Sequence, residues 1–372
     1  MRAKHGQKCL GSLIFAVFVL SGICPAADWP MWRHDASRRG TSPENLPQEL
    51  HLHWTRKLPP VQLAWPNEPR LHFDSSYEPV VMGKTIFLAS PNHGSVSAFD
   101  TETGQERWRF YAEGPVRFAP VAWDGKVYCG SDDGFLYCLR ASDGSLLWKV
   151  RGAPADRPDR GHLGNGRLVS FWPVRGGPVF ADGVIYFAAG IWPTMGVSVV
   201  AVDAQDGKVR WRNDRVQLVD NTRIDHNLIH DVGFSPQGYL LVAGNKLLVP
   251  NGRSMPAALD RETGHLLWYC QGYRNGDCRV TATDTYAFVG ESGVVRLEDG
   301  REVGSRWKHA GPDAPRAFDA RKFHLFEGPI LPYKLFPACN ARSALQETTA
   351  YGSQAGIFYA YQLHNTSLTE YE

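Results

Sequence analysis

Asp260-Arg-Glu-Thr-Gly264-His-Leu-Leu-Trp268 decides the fold, because close copies of this stretch recur along the chain. In each copy a glycine stands four residues before a tryptophan, and three of the four copies place an aspartate four residues before that glycine. The other copies are Asp100 to Trp108, Ser142 to Trp148 and Asp203 to Trp211, and Asp299-Gly300 running to Trp307 is a degraded fifth. Such recurrence predicts a fold built from repeated units.

The stretch 119–148 shows what one unit contains. Short apolar runs are separated there by Asp124-Gly125, Asp133-Gly134 and Asp143-Gly144. An Asp-Gly pair between apolar runs is typical of a hairpin turn, because glycine accepts positive φ at no steric cost. Three turns give four short antiparallel strands, and a four-stranded unit of about 40 residues that repeats is a propeller blade. A sustained 3.6-residue period is absent from the sequence, so we expect few helices.

The repeated tryptophans have a predicted structural role. A flat indole near the end of an outermost strand can cover the joint between neighbouring blades and bury a large area there. The residues assigned this blade-docking role are Trp54, Trp108, Trp148, Trp211 and Trp268. The first of them lies in His51-Leu-His-Trp54, which is typical of a lone terminal strand of the same kind.

The motif Asp-x-x-Thr-Gly-x-x-x-Trp, together with Gly130-Ser-Asp-Asp-Gly134, resembles the PQQ-like repeat of quinoprotein-type β-propellers over about residues 78–310. Asp28 to Asp35 and Gly164 to Pro178 resemble stretches of exported propeller proteins of planctomycete-type bacteria. The resemblance implies an all-β propeller of four-stranded antiparallel blades, commonly eight in the family. The turn signals stop after Trp307, so the propeller is expected over 28–310, with a poorly patterned C-terminal segment over 311–372. Either that tail completes a smaller, irregular ring, or the chain is the front part of a longer product, which we favour.

The first 27 residues are interpreted as a secretory signal peptide. Arg2, Lys4 and Lys8 precede an apolar stretch from Leu10 to Ile23, and small residues offer cleavage near Ala26 or Ala27. The apolar stretch is shorter than the about 20 residues that span a bilayer, although an uncleaved anchor or a lipoprotein modified at Cys24 are alternatives. No later segment is apolar enough to span. We therefore expect a periplasmic or secreted protein.

Composition excludes some classes of function. With 43% hydrophobic residues the chain is globular over most of its length. Beyond the signal, 37 Lys and Arg stand against 38 Asp and Glu, and a near-neutral body argues against nucleic-acid binding. Cys129 and Cys138 are interpreted as buried core residues, and a disulfide between Cys270 and Cys278 is left open.

The leading hypothesis for function is a non-enzymatic binding or scaffold module whose partner is a protein or another envelope component, with no cofactor. The alternative that the resemblance implies is a quinoprotein dehydrogenase that uses PQQ and calcium. The family's alcohol dehydrogenases commonly carry adjacent cysteines, and this sequence has none. Neither their catalytic aspartate nor their calcium ligands can be carried over onto a matching motif.

Two sets of residues are candidates for ligand binding. Pro115-Val-Arg117 and Pro173-Val-Arg175 repeat one frame, in which the arginine precedes by three residues the proline that opens an innermost strand. Both guanidinium groups are therefore expected near the channel mouth on one face, where they could hold a carboxylate, a phosphate or an acidic loop of a partner. The alternative is that each arginine bonds to neighbouring backbone or stacks on a tryptophan.

The second set underlies a third hypothesis, a small-ligand or hydrolytic site on a long loop. It consists of Asp225, His226 and His230, which follow Trp211. Polar loop residues that bond to the backbone are the alternative interpretation, because the Glu of a His-Glu-x-x-His motif is missing. We assign no catalytic residue and no metal ligand.

Overall fold

The computed structural model describes residues 27–42, 49, 51–67, 71–154, 156–164, 166–191, 195–216, 222–225, 228–230, 235–252, 254–269, 276–290, 293–305 and 367–371. Strands and turns make up this part of the chain, and it contains no α-helix, so the expectation of few helices is confirmed. It accordingly holds no helix that could cross a membrane. The interpretation of residues 1–27 as a signal peptide concerns residues that, apart from Ala27, lie outside the described ones.

A strand near the N-terminus, β1 (Leu52–Lys57), precedes five blades, each with four antiparallel strands, and one of these sheets gains a fifth, parallel strand. These blades confirm the expected all-β propeller. Blade 1 consists of β2 (Val80–Met82), β3 (Thr85–Ser90), β4 (Ser95–Asp100) and β5 (Glu106–Tyr111). Blade 2 consists of β6 (Val121–Trp123), β7 (Lys126–Gly130), β8 (Phe135–Arg140) and β9 (Leu146–Arg151). A two-stranded hairpin follows, formed by β10 (Gly161–Gly164) and β11 (Arg167–Ser170).

Blade 3 consists of β12 (Val174–Ala181), β13 (Val184–Ala189), β14 (Ser198–Asp203) and β15 (Val209–Asn213). A second hairpin comprises β16 (Thr222–Asp225) and β17 (Leu228–His230), and β18 (Gly238–Tyr239) pairs in parallel with β12. Blade 4 consists of β19 (Leu241–Ala243), β20 (Lys246–Asn251), β21 (Ser254–Asp260) and β22 (Leu266–Tyr269). Blade 5 consists of β23 (Val280–Ala282), β24 (Tyr286–Val289), β25 (Gly293–Arg296) and β26 (Glu302–Ser305).

Turn chemistry gives the propeller two different faces. On the turn face the first and second strands of a blade meet in a tight turn, as at Asp124-Gly125 and Asp182-Gly183, where both residues have positive φ, from 47° to 78°. This geometry is the type I′ turn that an Asp-Gly pair favours. On the connector face the second strand turns into the third, and the fourth strand leads to the next blade. The motif that ends in tryptophan joins the third strand of a blade to the fourth, as from Asp100 to Trp108, so its turn lies on the turn face.

Each repeated tryptophan packs on a glycine of the following blade. The indole of Trp108 in blade 1 lies over Gly144 of blade 2, and its Nε1 donates a hydrogen bond to the carbonyl oxygen of Ala141 at 2.8 Å. The same pair of contacts recurs for Trp148 with Gly207, Trp211 with Gly264 and Trp268 with Gly300. Every such glycine has φ between 72° and 76°, and a Cβ there would meet the ring at 2.4–2.8 Å.

The first strand of the chain takes part in the same scheme. Trp54 of β1 lies over Gly104 of blade 1 and donates to the carbonyl oxygen of Thr101 at 2.8 Å. β1 therefore has the position of a fourth strand in a blade that precedes blade 1. β27 (Ser367–Tyr371) pairs with it antiparallel, so one strand lies within the segment 311–372, for which poor patterning was expected. The rest of that segment lies outside the described residues.

The cysteines of the blades lie in the buried apolar core. Cys129 and Cys138 are both fully buried free thiols, which agrees with their interpretation as core residues. Cys278 is also a buried free thiol, so the structure does not contain the Cys270–Cys278 disulfide that the sequence left open. Cys270 itself lies outside the described residues.

Substitution of a docking glycine tests the joint between blades. Gly264→Ala should lower the free energy of unfolding by about 2–4 kcal/mol, because alanine is strained at φ 74° and its Cβ would lie 2.4 Å from the Trp211 ring. Gly125→Ala is the matched control, since φ is 70° there but its Cβ would meet nothing within 4 Å, and we expect a loss of about 1 kcal/mol. Urea denaturation measures both, and equal losses would contradict a role for the indole contact.

Candidate functional site

The centre of the propeller on the turn-face side is filled by residues 28–40, which we call the axial segment. It bonds through its backbone to the innermost strand of four different blades. The pairs are Trp29 with Val81 of blade 1, Pro30 with Ala122 of blade 2, Ala36 with Val242 of blade 4 and Ser37 with Ala282 of blade 5, at 2.7–2.9 Å. Innermost strands present an unpaired edge, and the axial segment satisfies part of that edge.

Arg38 of the axial segment is a fully buried arginine, and among the described residues its hydrogen-bond partners are all backbone carbonyls. Its guanidinium donates to the carbonyl oxygens of Leu240 at 3.0 Å, Trp32 at 2.9 Å and Pro178 at 2.8 Å. The charge also lies 5.9 Å from the Trp32 ring and 5.5 Å from the Tyr239 ring, which stack on each other. Burial lowers the pKa of Arg38 to about 10. Because Pro178 belongs to blade 3, the axial segment contacts all five blades.

A second buried cluster lies on the connector-face side of the axis, and it contains both arginines singled out by the sequence. Arg117 donates through Nε to Asp132 Oδ2 at 2.6 Å, and Arg175 donates through Nη2 to the same oxygen at 3.1 Å. Arg117 also donates through Nη1 to Asp74 Oδ2 at 2.7 Å. The side chains of all four residues are at most 6% exposed. We call this group the axial Arg–Asp cluster.

Each member of the cluster comes from a different part of the chain. Arg117 precedes β6, Asp132 lies in the turn between β7 and β8, and Arg175 is the second residue of β12. Asp74 comes from the strap, which we define as residues 58–67 and 71–79 between β1 and β2. The strap also places Trp65 and Phe73 against the Arg175 guanidinium, with ring centres 5.9 and 5.7 Å away.

Burial and the opposite charges of the cluster act against each other on the pKa values of Arg117, Arg175 and Asp74. Burial lowers the pKa of Arg175, and for Arg117 the carboxylates of Asp132 and Asp74 outweigh burial and raise the pKa. Burial also raises the pKa of Asp74, an effect that Arg117 and Arg175 oppose. Two cations and two carboxylates together make the cluster neutral when all are ionised. Removing either sign alone leaves an uncompensated buried charge, which is strongly destabilising.

The structure thus brings Arg117 and Arg175 together at one end of the axis, where the repeated frame placed them. The groups they contact by hydrogen bonds are carboxylates of the same chain and, for Arg117, also the backbone carbonyl oxygen of Gln62 at 2.9 Å. Arg175 faces the Trp65 ring, so both alternatives considered for these arginines, backbone bonding and stacking on a tryptophan, are seen. Nη1 of Arg175 and Oδ1 of Asp74 have no hydrogen-bond partner among the described residues. Whether the arginines hold an external anion remains a prediction.

The second set of candidates, Asp225, His226 and His230, lies largely outside the described residues. Asp225 ends β16 and His230 ends β17, and the register pairs Thr222 with His230 across this hairpin. His226 and the side chains of all three candidates lie outside the described residues. Within the described part of the chain, no group of three or more His, Cys, Asp or Glu side chains is arranged to hold a metal ion.

Two further surface features were not found from the sequence. On the turn face, a cavity of about 560 Å³ is lined by the axial segment and by Trp123 and Phe180, whose rings stack with centres 4.5 Å apart. Arg261 at its rim is paired with Asp182 at 2.6 Å. On the connector face, Leu163 and Leu168 are cross-strand partners in the β10–β11 hairpin and are 80% and 66% exposed.

The described residues on the axis do not fit PQQ and calcium. Asp74 and Asp132, two buried carboxylates on the connector-face side, are already bound to arginines. Phe73 and Phe118 stack with centres 4.8 Å apart in the neighbouring space, and Tyr239 packs edge-on against Phe118. A flat tricyclic cofactor such as PQQ would have to displace these rings.

Fold and axis together define a β-propeller of PQQ-type repeats. A family model described as outer membrane protein assembly factor BamB matches residues 29–166 and 157–309, and the chain therefore belongs to this family.

The relatives of the chain include dehydrogenase subunits and an outer membrane protein assembly factor. It is 28% identical over 171 residues to the dehydrogenase subunit of a quinone alcohol dehydrogenase of Gluconobacter oxydans (strain 621H), a match that covers 42% of this chain and 21% of that protein. It is 25% identical over 230 residues to outer membrane protein assembly factor BamB of Yersinia pestis, covering 52% of this chain and 56% of that protein. The chain thus spans about a fifth of the one relative and about half of the other.

A solved structure with the same fold is quinohemoprotein alcohol dehydrogenase from Comamonas testosteroni. The TM-score is 0.53 at 18% identity, and the match covers 81% of this chain and 52% of that one. At this identity the likeness concerns the fold alone.

Arg38 supplies a test of the axial segment. Arg38→Met should lower the free energy of unfolding by about 3 kcal/mol or more, because the three carbonyl oxygens that it serves would be left buried without a donor. Arg39→Met is the matched control, since Arg39 pairs with Asp284, which is 93% exposed, and exposed pairs contribute less than about 1 kcal/mol. Chemical denaturation compares the two, and similar losses would show that the segment does not hold the axis.

Proposed function

We propose that the chain is an exported, non-enzymatic β-propeller that acts as a binding or scaffold module for a protein of the cell envelope. The observation that carries the proposal is the filling of the propeller axis by the chain itself. From the turn-face side the axial segment occupies the centre, and Arg38 bonds to three backbone carbonyls there. From the connector-face side the strap covers the axial Arg–Asp cluster. Recognition then falls to the two faces and their loops.

The β10–β11 hairpin is the contact surface that we assign to the partner. Leu163 and Leu168 stand side by side across its two strands and are largely exposed. The hairpin is anchored, because Arg167 donates to the carbonyl oxygen of Asn92 in blade 1, and His162 packs on Phe171 with ring centres 4.9 Å apart. An exposed apolar pair on a supported hairpin is suited to an apolar patch of a protein partner.

Relatives support an envelope role without deciding it. One relative is an outer membrane protein assembly factor, and others are subunits of quinone alcohol dehydrogenases. The second group keeps a PQQ- and calcium-dependent dehydrogenase as the alternative function. The misfit of the axis to a tricyclic cofactor is the reason to prefer the binding module.

Thermal unfolding of the protein with and without PQQ plus calcium separates these two functions. We expect an unchanged melting temperature, because the axis is occupied by Phe73, Phe118 and Tyr239. A ligand that binds the folded state at a hundredfold excess over its Kd would add about 2.7 kcal/mol of stability, which is readily measured. Calcium alone is the control. A rise that requires PQQ would overturn the non-enzymatic proposal.

A photo-crosslinking amino acid at position 163 tests the partner surface in cells. We expect it to form one reproducible adduct with an envelope protein, and Leu168→Asp should abolish the adduct by placing a charge beside the apolar contact. The same amino acid at Lys84, an exposed turn-face position, is the control. Equal labelling from positions 163 and 84, or an adduct that survives Leu168→Asp, would count against the hairpin as the docking surface.

A further inference from the structure

The blades by themselves build a positively charged group on the propeller axis. Blade 2 and the connector before it contribute Asp132 and Arg117, and blade 3 contributes Arg175. Both guanidinium groups contact the Asp132 carboxylate, with donor–acceptor distances of 2.6 and 3.1 Å. Two cations around one anion leave one positive charge in a buried place. A buried charge without a partner is costly, so this arrangement requires another anion.

That anion comes from outside the blades. Asp74 belongs to the strap, and its Oδ2 accepts hydrogen bonds from Arg117 Nη1 at 2.7 Å and from the backbone N–H of Ala64 at 2.9 Å. The Asp74 side chain is 1% exposed. A strap residue therefore supplies to the blades what a bound carboxylate ligand would supply.

The strap carboxylate engages one of the two arginines. Asp74 bonds to Arg117, whereas Arg175 bonds only to Asp132 among the described residues, and its Nη1 has no hydrogen-bond partner there. Arg175 is 5% exposed, and Trp65 and Phe73 of the strap cover it. A guanidinium presents its donors in a fixed fork that matches a carboxylate. A carboxylate placed between the two arginines could use donors that Asp74 leaves unused.

We propose that Arg117, Arg175 and Asp132 form a carboxylate-binding socket, that Asp74 of the strap fills it as an internal ligand, and that an acidic side chain of a protein partner competes for the same place. The inference rests on the proposed binding function, since it names the chemical group of the partner that the connector face would receive. No bond is made or broken, and the exchange replaces one carboxylate with another.

Chemical rescue of Asp74→Ala tests the socket. The substitution removes a carboxylate group, which is the size of formate, and exposes the socket to solutes. We expect a lowered melting temperature in sodium chloride and a rise of about 2 °C or more when sodium formate replaces it at equal concentration. The wild-type protein, whose socket is filled, should show no such difference. If Asp74→Ala fails to fold in chloride, the yield of folded protein after refolding in formate against chloride becomes the measurement.

Two variants separate a specific socket from a general effect of the anion. Asp100→Ala also removes a carboxylate from an arginine, since Asp100 Oδ2 lies 2.5 Å from Arg107 Nη2, but this pair is partly exposed to solvent, with side chains 23% and 40% exposed. We expect formate to leave the melting temperature of Asp100→Ala unchanged. The double variant Asp74→Ala with Arg117→Met should also lose the response, because methionine fills similar space without a donor. A formate response in either variant, or none in Asp74→Ala, would overturn the socket.

A blocked tripeptide separates the two sources of a carboxylate. Acetyl-Gly-Asp-Gly-amide should raise the melting temperature of Asp74→Ala, and acetyl-Gly-Asn-Gly-amide should not. A response to both formate and the acidic tripeptide supports the proposal. A response to formate alone would assign the socket to small free carboxylates and overturn the peptide partner. Neither result depends on PQQ or on crosslinks from position 163, so failure here is distinguishable from failure of the proposed function.

Discussion

An indole pressed against a glycine of the next blade is the contact on which the rest of the structure depends. Trp108 on Gly144 shows why: the ring needs a residue without a Cβ, and the same glycine needs φ near 72°, which other residues rarely adopt. Glycine therefore meets both requirements, the positive φ of the turn and the close contact with the indole of the preceding blade. Since the contact recurs from blade to blade, it sets the spacing of the sheets and directs their innermost strands toward a common axis.

An axis built in this way has to be filled, because innermost strands carry backbone groups that no neighbouring strand bonds. The backbone of the axial segment forms hydrogen bonds with blades 1, 2, 4 and 5, and the Arg38 side chain donates one to the carbonyl oxygen of Pro178 in blade 3. The strap covers the other end with Trp65 and Phe73. Both ends of the channel are thus used for structure, which is the physical ground for placing recognition on the faces.

Charge in the axial Arg–Asp cluster is balanced within the chain rather than by solvent. Arg117 and Arg175 meet Asp132 from the blades and Asp74 from the strap, with each side chain at most 6% exposed. Because burial penalises every one of these charges, the cluster is stable only as a set, and its strap member is the one that a partner could replace without altering a blade. Asp74 thus links the stability of the axis to the recognition of a partner that we propose.

The blades could be predicted from local signals in the sequence, the Asp-Gly pairs and the Gly-x-x-x-Trp copies, and the same glycines and tryptophans appear at the turns and joints. The sequence also placed Arg117 and Arg175 in one repeated frame. Asp132 lies in the Gly130–Gly134 turn motif, but the motif does not indicate that it binds two arginines, and no local pattern marks Asp74 or the buried position of Arg38. These contacts follow from tertiary structure alone, because they join the strap, a blade turn and the axial segment to distant blades, and only the closing of sheets around an axis brings such residues together.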